Sequence, residues 1–241
     1  MVQDKVNSTS WERNAYDYFD FGCSKGGNIE YIHQYWPDLV GVGIDIDENK
    51  IKQAQANSHN AIIYDILALP NKKLCRFVTM SHFLEHLDSV SHAQKIIKKG
   101  IDIAESFLVI RQPYFDADSY LFNKNLKFYW SHWHGHRNRM DSLDFYTILN
   151  KELLGNRIQS FEVYGNVKVT SSDASTVIPL DAPINQHHYN EEEHGDKDNN
   201  IAFTLPVFEE IVVKINIMED PLSIEMRDQF KDLHLIYKSL G

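Results

Sequence analysis

A strand that runs into a glycine-rich turn and then into a helix constrains the fold of this chain more than any other feature. Residues 16–22 (YDYFDFG) are apolar enough for a buried strand, and residues 23–27 (CSKGG) join them to a helical stretch at 29–36. In α/β proteins such a turn lies at the carboxyl end of a parallel strand, where nucleotide-like ligands bind. The pattern therefore predicts a ligand-binding turn in an α/β fold.

A carboxylate follows the next predicted strand, one βα unit later. Residues 39–44 (LVGVGI) have the apolar run of a buried strand, and Asp45 lies at its end. A carboxylate at that place can accept hydrogen bonds from both hydroxyls of a ribose. The turn and Asp45 together indicate a nucleoside-containing ligand more specifically than either feature does alone.

Four segments, in this order, resemble the class I S-adenosylmethionine-dependent methyltransferases. Residues 20–27 (DFGCSKGG) resemble the first motif of that family, an acid followed by glycines at alternate positions, and Asp45 matches the acid that ends the family's second strand. Residues 61–66 (AIIYDI) and 77–87 (FVTMSHFLEHL) resemble its third strand and its fourth strand with the following turn. The resemblance covers residues 16–113 well and the remainder in outline.

The resemblance implies a fold, a cofactor and a set of binding residues. The expected fold is α/β and Rossmann-like, with a seven-stranded, mostly parallel sheet and helices on both faces. The implied cofactor is S-adenosyl-L-methionine, with Asp20 orienting the loop and the ammonium of the methionine tail, Asp45 holding the ribose and Asp65 meeting the adenine amine. The cofactor-binding residues so implied are Asp20, Gly22, Cys23, Ser24, Gly26, Asp45, Ile46, Asp65, Ile66, Ser81 and His82. Ser24 departs from the family's pattern, since the middle glycine of the motif is usual at its place.

The rest of the chain predicts one domain of alternating strands and helices. Residues 1–241 are interpreted as a single methyltransferase domain, with a loop-rich lid or substrate segment at about 114–141 and an insertion at about 166–206 between the last two strands. Strands are predicted at 16–22, 39–45, 60–65, 77–82, 106–112, from 160 onward and at 208–217. Helices are predicted at 27–36, 48–57, 88–104, from 141 onward and over the tail at 221–240.

Charge and cysteine content limit the expected partners and compartment. The chain has 24 Lys and Arg against 34 Asp and Glu, a formal net charge of −10, so a nucleic-acid acceptor is not expected. No apolar run reaches the ~18 residues of a membrane span, and no basic-then-apolar leader begins the chain, so we expect no membrane association. Two isolated thiols, Cys23 and Cys75, favour a reducing, cytoplasmic setting.

Three alternate histidines in the lid segment are the candidate catalytic residues. His132, His134 and His136 lie in the run 130–137 (WSHWHGHR). An acceptor hydroxyl loses a proton during methyl transfer, and a histidine can serve as the base near neutral pH. A structural or solvated role and a metal site are the alternatives. A metal is not expected, because Gly135 and the tryptophans disfavour the regular strand that would align the three rings.

Further candidates lie after the fifth strand and in the insertion. Arg111, Tyr114 and Trp133 are the candidate substrate-binding residues, with surface roles as the alternative for the first two. A second possible metal set comprises His187, His188, His194 and Asp196. Its spacing fits no rigid helix or strand, and the neighbouring acids favour a solvated loop.

Together these features predict transfer of a methyl group from S-adenosylmethionine to a small polar acceptor. An O-methylation of a sugar, a sugar nucleotide or a secondary metabolite is the favoured reaction. A catalytically silent, methyltransferase-like binding scaffold is one alternative, which has no need for three aspartates at successive strand ends. A nicotinamide-dependent oxidoreductase is the other, but residues 22–26 (GCSKG) lack the tight turn of a dinucleotide site.

Overall fold

The computed structural model describes residues 11–13, 15–184, 189–195, 197, 201–230 and 232–239. Its strands are β1 (Tyr18–Phe21), β2 (Gly41–Asp45), β3 (Ala61–Ile63), β4 (Cys75–Ser81), β5 (Ala104–Pro113), β6 (Leu126–Phe128), β7 (Ser160–Lys168), β8 (Val177–Pro179), β9 (Phe208–Asn216) and β10 (His234–Lys238). Its α-helices are α1 (Gly27–Tyr35), α2 (Glu48–Ala56), α3 (Val90–Ile103), α4 (Asp118–Phe122), α5 (Ser142–Leu154), α6 (Glu191–His194) and α7 (Pro221–Asp228). Short 3-10 turns span Ile66–Ala68 and Leu84–His86.

Within the described ranges, eight of these strands form one sheet in the order β3-β2-β1-β4-β5-β9-β7-β10. Strands β1 to β5 run parallel, while β9 is antiparallel to both of its neighbours, β5 and β7. The carboxyl ends of β1 to β5 and of β7 therefore lie along one side of the sheet, together with the amino end of β9. We call this side the carboxyl edge, and it positions the residues of the candidate site.

The α/β, Rossmann-like fold expected from the sequence is confirmed, but the number of strands is eight rather than seven. The extra strand comes from the tail at 221–240, for which the sequence predicts one amphipathic helix. Among the described residues of the tail, Pro221–Asp228 is the helical part, and His234–Lys238 pairs with the outer edge of β7 instead. Its run of a leucine, a β-branched and an aromatic residue (LIY) suits a strand, and the free edge of β7 supplies the hydrogen bonds.

Capping side chains explain why the helices begin where they do. Asp47 accepts hydrogen bonds from two backbone N–H groups of the first turn of α2, and Ser89 accepts one from His92 in α3. Asp141 forms a reciprocal capping box with Asp144 at the start of α5. Five of the helices described, α1, α2, α3, α5 and α7, contact strands of the large sheet. In the described part of the chain none has the length and apolar character needed to cross a bilayer.

The segment at 114–141 is more regular and more buried than its sequence predicts. It contains α4 and β6, and β6 pairs with β8 of the insertion, so the two segments form a small second sheet. Phe115, Phe128 and Met140 are at most 6% exposed. Elements of five and three residues are too short to show a periodic pattern, which is why the sequence indicates loops there.

Candidate functional site

The turn after β1 has a backbone that favours glycine. Gly22 and Gly26 have φ angles of 69° and 91°, in the left-handed region. A Cβ atom at Gly22 would overlap the ring of Phe83, and one at Gly26 would overlap the ring of His59. Ser24, which stands where the middle glycine of the motif is usual, also has a positive φ of 49°. The turn therefore keeps its glycine-like shape although a serine lies at its centre.

Asp20, in β1, is a buried carboxyl with one oxygen to spare. It is 1% exposed, and its Oδ1 accepts hydrogen bonds from the Asn28 side-chain amide at 2.7 Å and the Thr79 hydroxyl at 2.9 Å. Among the described residues, its buried Oδ2 has no hydrogen-bond partner. Burial raises the pKa of Asp20 to about 7, although the two hydrogen bonds lower it. An unpartnered carboxylate oxygen of this kind fits a cationic ligand group such as an ammonium.

Asp45, at the end of β2, fixes the turn from the neighbouring strand. Its Oδ2 accepts a hydrogen bond from the backbone N–H of Ser24 at 3.0 Å, and its Oδ1 accepts one from that of Asp47 at 2.9 Å. The side chain is partly exposed, so each oxygen keeps a lone pair for a ribose hydroxyl. The sequence predicts that Asp45 contacts a ribose, but it does not predict the hydrogen bond from Ser24 that connects Asp45 to the turn.

The other predicted cofactor residues lie along the same edge. Asp65 is exposed and accepts a hydrogen bond from the Leu67 N–H at 2.9 Å, which caps the turn Ile66–Ala68. Ile46 is 76% exposed beside Asp45, while Ile66 is buried. Cys23 is 5% exposed, and burial raises the pKa of its thiol, as expected for an apolar packing residue rather than a nucleophile. Their contacts with a cofactor remain predictions.

A cavity of about 500 Å³ opens at the carboxyl edge, beginning just after β4. Its walls come from the ends of β4, β5, β7 and β9 and from the segment at 129–136. The lining residues are His82, Glu85, His86, Arg111, Pro113, Tyr129, Trp130, Trp133, His136, Asn166, Val167, Glu209 and Glu210. We call this cavity the acceptor pocket, because it lies beside the edge at which a nucleoside-containing ligand is expected. It combines aromatic rings with charged and amide groups.

A charged network forms one wall of the acceptor pocket, centred on Glu210 of β9. Glu210 accepts hydrogen bonds from His82 Nε2 at 2.8 Å, from the Arg111 guanidinium at 2.9 Å and from the Asn166 amide at 2.9 Å. Burial alone would raise the pKa of Glu210, but the hydrogen bond from His82 and the charge of Arg111 lower it to about 2. Burial alone would lower the pKa of His82, but its hydrogen bond to Glu210 and the charge of Glu85 raise it to about 9.

A second cluster joins the turn after β4 to the segment at 129–136. Glu85, His86 and His136 each bring one possible metal-ligand atom within 4.8 Å of the others. Burial lowers the pKa of His136 to about 4, against the charge of Glu85, which raises it. Asn138 holds the two segments together, since its backbone N–H donates to the Glu85 carbonyl at 3.1 Å and its side chain to the Leu84 carbonyl at 3.0 Å.

Some of the predicted catalytic and substrate-binding residues line the acceptor pocket and others lie outside it. His136 and Trp133 line the acceptor pocket, and so does Arg111, which is paired with Glu210. His132 and His134 are not brought to this pocket, and a catalytic role for them remains a prediction. Both are exposed and lie outside the pocket lining, because the chain turns at 130–136 instead of forming a strand that would align the three rings.

Tyr114 and the second metal set also need revision. Tyr114 is 5% exposed and packs edge-on against Phe208, so it does not line the pocket. Of the second set, His194 is 2% exposed, and its Nδ1 accepts a hydrogen bond from the Asn190 N–H. The other members, His187, His188 and Asp196, lie outside the described residues.

Of the polar pocket residues that reasoning from the sequence missed, four take part in the clusters described above. Glu85 and His86 lie in the recognisable turn after the fourth strand, and an acid–histidine pair directly after a strand end is a usable signal. Asn166 and Glu210 come from strands far along the chain. Their contact depends on β9 inserting between β5 and β7, which no local pattern specifies.

Comparisons with known proteins agree with this geometry. A family described as "Methyltransferase domain" matches residues 3–151, which include the turn after β1, Asp45, Asp65 and the turn after β4. No curated protein sequence matches the chain.

Several solved structures share the fold. A SAM-dependent methyltransferase from Archaeoglobus fulgidus has a TM-score of 0.57 and 17% identity, over 89% of this chain and 90% of that chain. One from Methanosarcina mazei has a TM-score of 0.51 and 11% identity, over 91% and 99%. The plantazolicin methyltransferase BpumL, solved with a pentazolic desmethylPZN analogue and SAH, has a TM-score of 0.51 and 12% identity, over 84% and 76%. At such identities the likeness concerns the fold.

Proposed function

The chain belongs to the methyltransferase-domain family and is an S-adenosylmethionine-dependent methyltransferase, and we propose that its acceptor is a small polar molecule methylated at a hydroxyl oxygen. A sugar, a sugar nucleotide or a secondary metabolite with several hydroxyls is the class that we favour. Family membership removes the two alternatives raised by the sequence, a silent binding scaffold and a nicotinamide-dependent oxidoreductase.

S-Adenosyl-L-methionine is the cofactor, and the groups at the carboxyl edge fit it. When bound, it supplies a methyl group activated by a sulfonium sulfur. We assign the unpartnered Oδ2 of Asp20 to its ammonium, the turn between Gly22 and Gly26 to its amino acid tail, and Asp45 to its ribose. Asp65, exposed at the end of β3, is assigned to the adenine amine.

The acceptor pocket is the observation that supports a small acceptor. Its volume of about 500 Å³ lies within the roughly 300–1,000 Å³ of small-molecule sites. Three aromatic side chains (Tyr129, Trp130 and Trp133) line it beside carboxylates and an amide, a mixture suited to the apolar faces and the hydroxyls of a sugar-like molecule. The net charge of −10 disfavours a polyanionic acceptor.

The cluster of Glu85, His86 and His136 supports oxygen as the acceptor atom. As the new oxygen–carbon bond forms and the carbon–sulfur bond breaks, a hydroxyl must give up its proton, so a site for it needs basic groups within reach. This cluster offers a carboxylate and two imidazoles on one wall of the pocket. The rest of the pocket positions the acceptor for in-line attack.

The test is transfer of a labelled methyl group to a small molecule. Purified protein is incubated with methyl-deuterated S-adenosylmethionine and fractionated metabolite extracts, and products are analysed by mass spectrometry. We expect one small molecule to gain a single labelled methyl group on oxygen, with one S-adenosylhomocysteine released per product. Label found only in protein or nucleic acid, or on nitrogen or carbon of the product, would contradict the proposal.

Matched histidine variants connect the product to the pocket. His136→Gln, in the pocket, is expected to lower kcat/KM for the identified acceptor at least tenfold. His33→Gln, at the exposed end of α1, is the control and is expected to keep the activity of the unmodified chain. Equal activity of the two variants would remove His136 from the acceptor site.

A further inference from the structure

Glu85 is a buried acidic side chain whose contacts in the described part of the fold are long, with the His82 imidazole 3.5 Å away. It is fully buried, and among the described residues neither of its carboxylate oxygens accepts a hydrogen bond. The nearest basic atoms are His82 Nδ1 at 3.5 Å and His86 Nε2 at 3.9 Å, both beyond the usual hydrogen-bond length. A buried carboxylate without such bonds is costly, so Glu85 has room for a cationic partner at shorter range than His82.

His82 meets this need only in part, because its ring is shared between two carboxylates and its Nδ1 stays 3.5 Å from Glu85. Its Nε2 is 2.8 Å from Glu210, and this contact belongs to the network on the opposite side of the ring. Asn138, which packs against the same turn, donates to the backbone carbonyls of Leu84 and Glu85 and leaves the carboxylate unbonded. The carboxylate therefore faces the remaining two members of the cluster, His86 and His136.

We propose that Glu85, His86 and His136 form a binding site for one divalent transition-metal ion. Their ligand-type atoms lie within 4.8 Å of one another, and the distance of 3.9 Å from Glu85 Oε1 to His86 Nε2 is within the about 4 Å that two metal bonds of about 2.0–2.2 Å can span. A small side-chain rotation closes the wider gaps in the cluster.

Backbone contacts orient both imidazoles for this task. His86 Nδ1 lies 3.0 Å from the Gly135 carbonyl, and His136 Nδ1 lies 3.0 Å from the Trp130 carbonyl. A carbonyl oxygen only accepts, so each Nδ1 carries the proton and each Nε2 keeps a free lone pair. A backbone carbonyl that holds the second ring nitrogen is the arrangement found around metal-ligating histidines.

The donor set indicates the class of metal and leaves room for a ligand. Imidazole donors suit zinc, cobalt, nickel and iron better than magnesium or calcium, which prefer all-oxygen sites. Three protein ligands leave at least one coordination position open, as in catalytic zinc sites. All three ligands line the acceptor pocket, so the open position faces it.

This inference deepens the proposed function and rests on it for the role of the ion. With the ion bound, the lone pairs of the cluster are held by the metal, so the cluster would act through the ion. A cation beside an acceptor hydroxyl lowers the pKa of that hydroxyl, and the proton passes to water in the open pocket. The ion would also hold the acceptor oxygen in place for attack on the methyl group. Metal binding itself needs no acceptor and is tested separately.

The direct test is metal binding by the full chain after treatment with EDTA. We expect equilibrium dialysis to give one Co²⁺ or one Zn²⁺ per chain, with Mg²⁺ bound at least tenfold more weakly, and Co²⁺ to produce a visible absorption band. His86→Gln and Glu85→Gln are expected to weaken Co²⁺ binding at least tenfold. His134→Gln, an exposed histidine in the same segment, is the matched control and should bind Co²⁺ like the unmodified chain.

Clear outcomes would overturn the site. These are an unmodified chain that binds neither Co²⁺ nor Zn²⁺ at millimolar concentration, or ligand variants that bind as tightly as the control. If a variant fails to fold by circular dichroism, NMR of the unmodified chain decides, because Co²⁺ must shift the imidazole signals of His86 and His136. None of these results depends on methyl transfer. A rate of methyl transfer that chelation leaves unchanged would overturn only the role at the acceptor.

Discussion

Asp20 is a single side chain whose ionised form is disfavoured by burial, although the site needs that form to bind an ammonium. Its carboxyl is enclosed by β1 and its neighbours, holds Asn28 and Thr79 with one oxygen, and keeps the other oxygen unbonded. Its pKa of about 7 lies above the ordinary value of 3.8, so the folded chain without cofactor binds a proton that the unfolded chain has released. Because of this carboxyl, the free energy of unfolding falls as the pH rises from about 4 to 7.

Asp20→Asn should consequently stabilise the folded chain and weaken its binding of the cofactor. Asparagine keeps an oxygen for Asn28 and Thr79 but cannot ionise, so the gain in melting temperature should be larger at pH 8 than at pH 5. Affinity for S-adenosylhomocysteine at pH 8 should fall at least tenfold, since the ammonium loses a carboxylate partner. Thermal melts at both pH values and calorimetry check this. An equal gain at both pH values, or unchanged affinity, would rule out this role for Asp20.

Binding residues that lie next to a strand end can be predicted from the sequence. A site that is built from distant segments of the chain cannot be predicted in this way. Asp45 follows from the βα pattern, and Asp20 follows from the resemblance of residues 20–27 to the family's first motif. The meeting of Glu85 and His86 with His136 depends on the turns at 130–136 and on the hydrogen bonds of Asn138, which act across about 50 residues of chain. His132, His134 and His136 are equivalent in sequence, and only the folded backbone separates them.

At the scale of elements, β10 shows how a free sheet edge overrides a weak helical pattern. The apolar residues of the tail fit a partial helical stripe, but β7 would otherwise be an unpaired edge strand. Tyr237 of β10 packs against Tyr146 of α5 at 5.0 Å and against Phe161 of β7 at 5.4 Å, measured between ring centroids. The strand is therefore fixed by packing as well as by hydrogen bonds.

Tyr237→Ala should lower the free energy of unfolding by about 2 kcal/mol, because it removes both aromatic contacts from a partly buried position. Leu235→Ala, at a position that is 57% exposed on the same strand, should change it by less than about 0.5 kcal/mol. Urea denaturation of the two variants measures the difference. If the two substitutions cost the same, β10 does not pack as described.

The network around Glu210 connects the ends of four strands, and its contribution to the stability of the folded chain depends on pH. Because the pKa of Glu210 is lowered to about 2 from 4.5, its charge stabilises the folded chain above pH 4.5, and this stabilisation is lost as the pH falls toward 2. Arg111, Asn166 and Glu210 come from β5, β7 and β9, and His82 is the residue directly after β4.

Glu210→Gln should therefore destabilise the chain by about 2 kcal/mol at pH 7, since it removes charge-assisted hydrogen bonds. The difference in the free energy of unfolding between this variant and the unmodified chain should shrink steadily between pH 5 and pH 3, where the stabilisation by the Glu210 carboxylate decreases. Chemical denaturation at several pH values gives both quantities. A difference that stays constant over this range would show that Glu210 does not carry the charge in the network.

For the whole molecule, the carboxyl edge divides into two halves that meet at β4. Strands β1 to β3 present the glycine turn, Asp45 and Asp65, while β5, β7 and β9 with the segment at 129–136 enclose the acceptor pocket. The first half is local in sequence, so it could be predicted in detail. The second half is assembled from segments up to 128 residues apart, as in the contact between His82 and Glu210, so only its general location could be predicted.

The most direct test of this division is a crystal structure of the chain with S-adenosylhomocysteine. We predict that the ammonium lies on Asp20, that the ribose lies on Asp45, and that the sulfur atom faces the acceptor pocket beside His82 and Glu85. A ligand bound elsewhere, or a sulfur atom that faces away from the acceptor pocket, would contradict the assignment of both halves.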